Sequence, residues 1–86
     1  MWEIEYTAEV KFYFLDNDPY TFDILVRIEE LRHIPDAMPP EGSTPLEDEP
    51  NTYKWEVLDH LIVYGKEDNK LIIWLIKPLE SNESLL

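Results

Sequence analysis

The sequence predicts a small single-domain α+β fold, and three observations carry that expectation. Tyr53 to Leu79, YKWEVLDHLIVYGKEDNKLIIWLIKPL, is the most apolar stretch and divides into three β-rich runs, the pattern of a meander. Asp18-Pro19 followed by Ile24, Leu25, Ile28, Leu31 and Arg32 at the 3.6-residue period is a helix with its start signal. Between the two lies a Pro-rich crossing that neither element can absorb.

Taken in order, Trp2, Ile4 and Tyr6 alternate with Glu3 and Glu5, which predicts a half-buried first strand. Ala8 to Leu15 reads two ways. Ala8, Val10, Phe12 and Phe14 continue the alternation, whereas Thr7 is an N-cap residue type and Val10/Phe14 and Ala8/Phe12 fall at helical i,i+4 spacing. Asp16-Asn17-Asp18 breaks this segment, and Asp18 as N-cap with Pro19 at the first position starts the periodic helix, within which Asp23 and Arg27 stand at pairing distance. Pro35 ends it.

From Pro35 to Asn51 five prolines and a glycine exclude regular structure, with Met38 and Leu46 available to hold the loop to the core. Tyr53, Trp55 and Val57 give the first meander strand a one-sided apolar face, and His60 to Tyr64 is the second strand. Glu67-Asp68-Asn69 is the turn, and Leu71 to Ile76 a strand buried on both faces, with Ile72, Trp74 and Ile76 among the most buried residues. Residues 1–79 form the domain; the polar tail 80–86, ESNESLL, is expected to fray.

Seven basic against nineteen acidic residues give a formal charge of −12. Such a balance opposes binding to phosphate backbones or anionic lipid and favours a protein partner with a basic surface. With no cysteine, disulfides and thiolate metal sites are excluded. No apolar run reaches the length of a membrane span, and Met1 to Glu5 lacks the cationic start of a secretory signal, so a cytoplasmic protein is expected.

WEIEYTAEV at the start, Asn17-Asp18-Pro19 with Val26-Arg27-Ile28-Glu29-Glu30-Leu31 and Pro35, and KWEVLDHLIVY from Lys54 to Tyr64 together resemble the RelE/ParE superfamily of small bacterial toxins. The last segment is similar, without gaps, to the family's meander wording R-I-R-V-G-D-Y-R-V-I-Y. The resemblance spans residues 2 to about 79 and rests mostly on hydrophobic patterning. It implies the order β-α-α-β-β-β, an antiparallel sheet packed by a helical hairpin, with Ala8 to Leu15 as the first helix. It also implies a toxin–antitoxin role in which the partner is an antitoxin or a basic target protein.

The same alignment shows what is missing. The family's ribonucleases present several cations from the meander to grip mRNA phosphates, the task of preorganised charge in phosphoryl chemistry. Here Lys54 keeps the first position, while Glu56 and Leu61 replace the second and third Arg, and His60 replaces the aromatic. Tyr64 keeps the final tyrosine. Lys54, His60 and Tyr64 are therefore the residual catalytic candidates, with Lys66, Lys70 and Lys77 as possible substitutes for the lost cations.

Lys54, Glu56 and His60, neighbours around one strand junction, and Lys77 are binding candidates; their bland reading is a solvated strand face. Glu47, Asp48 and Glu49, with Glu41, can attract a cation or copy nucleic-acid charge, or simply be solvated. Trp2, Phe12, Phe14, Trp55 and Trp74 can line a ligand pocket or form the core. Neither His60 nor His33 has companions at metal spacing, and no Gly-rich phosphate loop or nucleophile elbow is present, so no metal or cofactor is expected. Three functions compete: a toxin–antitoxin protein acting by macromolecular binding, an acidic module that blocks a basic nucleic-acid-binding protein, and a small enzyme that uses His60.

Overall fold

The computed structural model describes residues 1–79; the predicted frayed tail lies outside them. Two helices and a five-stranded mixed sheet form a small compact α+β domain. The elements run β1 (Glu3–Tyr6), α1 (Ala8–Asn17), α2 (Phe22–Glu30), β2 (Thr44–Pro45), β3 (Thr52–Val57), β4 (His60–Glu67) and β5 (Lys70–Pro78). The sheet order is β1-β5-β4-β3-β2.

The expected all-antiparallel sheet is corrected at its edge: β1 pairs with β5 in parallel, Ile4 opposite Leu71 and Tyr6 opposite Ile73. The chain leaves β1, passes through both helices and returns as a meander whose last strand runs beside the first. β2 is a second correction, because the Pro-rich segment does contain a short strand, Thr44 opposite Lys54 and Pro45 opposite Tyr53. Pro45 has no N–H to donate, and an edge strand is where that lack is tolerated.

Ala8 to Leu15 is helical. The Thr7 side chain accepts from the Val10 N–H at 3.3 Å, capping α1. Val10 is fully buried and Tyr13, Phe14 and Asn17 half-buried, so the inward stripe follows i, i+3, i+4, i+7. The second helix begins later than Asp18-Pro19 predicts: Asp18 to Thr21 form turns around a cis Asp18–Pro19 peptide, and α2 starts at Phe22. Ile24, Ile28 and Leu31 bury its periodic face, and a 3-10 turn, Leu31–His33, ends it before Pro35.

These helical residues pack with Trp55, Ile62, Tyr64, Leu71, Ile73 and Ile76 on one face of the sheet. Cross-strand register stacks the sheet's share of the core, Trp55 opposite Ile62 and Ile62 opposite Ile76, Tyr53 opposite Tyr64 and Tyr64 opposite Ile73.

β5 does not bury Ile72 and Trp74 as the apolar run suggests. Val63 pairs with Leu75 but Tyr64 with Ile73, so Trp74 is an extra residue, a β-bulge. Leu71 and Ile73 face the helices before it, and the bulge shifts the phase so that Ile76 does so after it. Ile72 is only half-buried and Trp74 is 48% exposed, on the open face of the sheet.

Among the described residues no helix is long and apolar enough to cross a membrane.

Candidate functional site

The candidate residues divide between the two faces of the sheet. Along β3 side chains alternate, so Trp55 and Val57 point to the helices while Lys54 and Glu56 point to the open face. His60 lies opposite Val57 and shares its face. The expected Lys54–Glu56–His60 grouping is thereby corrected: adjacency in sequence places these groups on opposite sides.

His60 is a structural ligand of α1. Its Nδ1 lies 2.9 Å from the Leu58 carbonyl, which only accepts, so Nδ1 carries the proton and donates. Its Nε2 lies 2.7 Å from the Tyr13 hydroxyl, within hydrogen-bond distance, and the rings meet edge-on. Burial pushes the Tyr13 hydroxyl pKa up.

Tyr64 is likewise structural. Its fully buried hydroxyl donates to the Ala37 carbonyl at 3.1 Å, lies 2.9 Å from Ser43 Oγ, and its ring stacks on Tyr53. Burial raises its pKa above the ordinary tyrosine value.

Lys54 and Glu56 line a shallow groove of about 420 Å³ with Glu41, Gly42, Ser43 and Thr44. Glu41, which the sequence offered as part of an acidic cluster, is engaged. It accepts from Trp55 Nε1 at 2.5 Å and from Arg27 at 2.5 and 2.7 Å, latching the Pro-rich loop to β3 and α2. Burial pushes its pKa up, but the hydrogen bonds from Trp55 and Arg27 outweigh burial and hold it below the usual carboxylate range. Arg27 thus meets Glu41, and Glu30 at 3.7 Å, rather than the expected Asp23. Glu47, Asp48 and Glu49 are exposed on the connection between β2 and β3.

The lysines considered as substitute cations do not gather around Lys54. Lys66 sits on the helix side, bonded to the Asp36 carbonyl and 4.8 Å above the Tyr53 ring. Lys70 pairs with Glu5 at 3.0 Å, which raises its pKa through that hydrogen bond. Lys77 shares the open face with Lys54, but β4 lies between their strands, Lys77 standing opposite Leu61 and Lys54 opposite Val63. No group of three or more His, Asp or Glu residues is placed to hold a metal ion among the described residues.

Sequence reasoning missed the outer face of the helix pair. Phe12, Leu15 and Phe22 are 65%, 73% and 59% exposed, so Phe12, like Trp74, leaves the expected aromatic core. A shallow groove of about 210 Å³ runs between Phe14, Leu15, Asp18, Thr21, Phe22 and Leu25, and exposed Val26 continues the stripe one turn beyond Phe22. Asp18 lines it, and Asp16 and Asp23, next in sequence to Leu15 and Phe22, are exposed. The signal was available: once Val10, Phe14 and Asn17 define the inward stripe of α1, Phe12 and Leu15 fall off it.

Neither the known protein families nor the curated proteins yield a match to this chain.

Proposed function

We propose that the chain is a RelE/ParE-like protein of toxin–antitoxin type that acts by binding a protein and not by cleaving RNA. The observation that carries this reading is the apolar groove between the helices, walled by exposed Leu15 and Phe22 and lined by Phe14, Leu25 and Asp18, with Asp16 and Asp23 exposed next to its walls in sequence. Contiguous exposed apolar surface with a polar rim marks an interaction site. An acidic rim on a chain of charge −12 selects a basic, amphipathic segment. The order strand, two helices, meander supports the family resemblance, and the placement of Glu56 and Leu61 argues against the family's ribonuclease chemistry.

The test is to titrate the chain with the product of a short reading frame adjacent to its gene. Binding that weakens with salt and is lost in Leu15→Asp and Phe22→Asp, both exposed positions where the fold tolerates charge, supports the reading. Absence of such a neighbour contradicts the toxin–antitoxin assignment and favours the acidic-module reading, for which the net charge is the specific support. Binding indifferent to both substitutions contradicts the helix face as the contact.

A further inference from the structure

The open face of the sheet holds a second surface of different construction. Its central side chains, Leu61, Val63, Ile72 and Leu75, are half-buried without a covering layer among the described residues, and the Trp74 indole stands among them. Two features put it there. Alternation from Leu71 and Ile73, which face the helices, puts Trp74 on the open face, and the bulge at Trp74 brings Leu75 to the same face beside it. Gly65 then gives it room, because a Cβ at that position would lie 2.9 Å from the indole Nε1.

Grooves flank the indole on two sides. One, of about 350 Å³, is lined by Leu46, Glu49, Thr52, Val63 and Trp74. The other, of about 290 Å³, shares Glu49, Thr52 and Trp74 but also contains Lys66 and Glu67. The first therefore combines an aromatic wall, an aliphatic floor and a carboxylate, with no cation in its lining.

We propose that this groove takes an arginine side chain of a partner protein, its guanidinium stacked on Trp74 and paired with Glu49, its aliphatic stem against Leu46 and Val63. Charge complementarity selects the occupant: a groove with one carboxylate on a chain of charge −12 attracts a cation and repels acidic segments. The indole face selects arginine over lysine, because a planar, weakly hydrated guanidinium stacks on an aromatic ring and engages a carboxylate through two N–H groups at once. This site lies on the sheet layer, away from the helix face of the proposed function, and stands or falls independently of it.

The experiment uses the full chain and N-acetyl-arginine methylamide at millimolar concentrations, following the Trp74 indole N–H by NMR, assigned through Trp74→Phe. The neutral citrulline analogue is the isosteric control. The expected result is saturable shifts at Trp74, Thr52 and Val63 with arginine, at least about fivefold weaker binding of citrulline, and a loss of several-fold in Glu49→Gln but not in Glu47→Gln. Gly65→Ala, which displaces the indole, should weaken binding while leaving the rest of the spectrum in place. Equal response to arginine and citrulline, no effect of Glu49→Gln, or shifts spread over the acidic surface without saturation at Trp74 would each overturn the proposal.

Discussion

Leu58 and Asp59 form the two-residue turn between β3 and β4 with φ of 49° and 59°. Both positions require the left-handed region that such hairpins use, and Asp tolerates it while Leu does not. Leu58→Gly should therefore stabilise the chain by about 1 kcal/mol in urea unfolding; an unchanged or lower midpoint would mean that half-exposed Leu58 contributes packing that offsets the strain. At Gly65 the opposing effects belong to one pair. Gly65→Ala should lower stability in the native background through its approach to Trp74, and should be neutral or stabilising with Trp74→Ala, where strand propensity alone remains.

Glu41 and Glu29 make stability depend on acid. Glu29 accepts from Tyr6 at 2.5 Å and Arg32 at 2.8 Å, tying α2 to β1. Burial pushes its pKa up, yet the hydrogen bonds from Tyr6 and Arg32 prevail and lower it. A carboxylate whose folded pKa is depressed contributes stability that is present above its unfolded pKa and lost as pH falls through the folded one. The urea midpoint should therefore drop on acidification below the ordinary carboxylate range, and Glu41→Gln should lower the neutral-pH midpoint while making the acid drop shallower. An acid profile identical in the variant would mean that Glu41 does not contribute to the acid dependence.

At the scale of elements, α1 depends on its cap. Thr7→Ala should cost about 1 kcal/mol and increase exchange of the first-turn amides. A smaller loss confined to the strand β1 would show that packing of Val10 and Phe14 alone holds the helix.

The same helix shows how far the sequence could be read. Alternation and i,i+4 pairing coincide at Val10 and Phe14, so residue pattern alone left strand and helix open there. The cap and the tertiary burial of one stripe decide it. The meander was legible because Tyr53, Trp55 and Val57 alternate cleanly and Glu67 to Asn69 carry turn chemistry. The phase of β5 is not, because an unbroken apolar run fits burial on both faces equally well and a bulge leaves no trace in residue types, so Trp74 reads as core. The turn at Leu58 was hidden because a leucine occupies a conformation that glycine or asparagine normally announces. The helix-face surface was readable only after α1 had been fixed as a helix.

For the molecule as a whole, the proposed function assigns the charge of −12 and the exposed apolar side chains to the recruitment of a basic protein. Binding to such a partner should weaken as ionic strength rises, since exposed charges are screened beyond about 8 Å at physiological salt. Calorimetric titration across salt concentrations measures this directly, and a salt-independent affinity would assign the contact to the apolar side chains alone.

The sharpest division is between binding and ribonuclease chemistry. Cleavage by a 2′-hydroxyl needs fixed cations around the developing negative charge, and loss of one such donor typically costs about 3 to 4 kcal/mol. Here Lys54 shares its groove with Glu56, the strand β4 separates it from Lys77, and Lys66 and Lys70 are engaged elsewhere. The direct measurement is to add the purified chain to translating ribosomes and map mRNA ends, with Lys54→Ala in parallel. Neither protein should produce specific ends above background. Specific cleavage by the native chain that disappears in Lys54→Ala would contradict it.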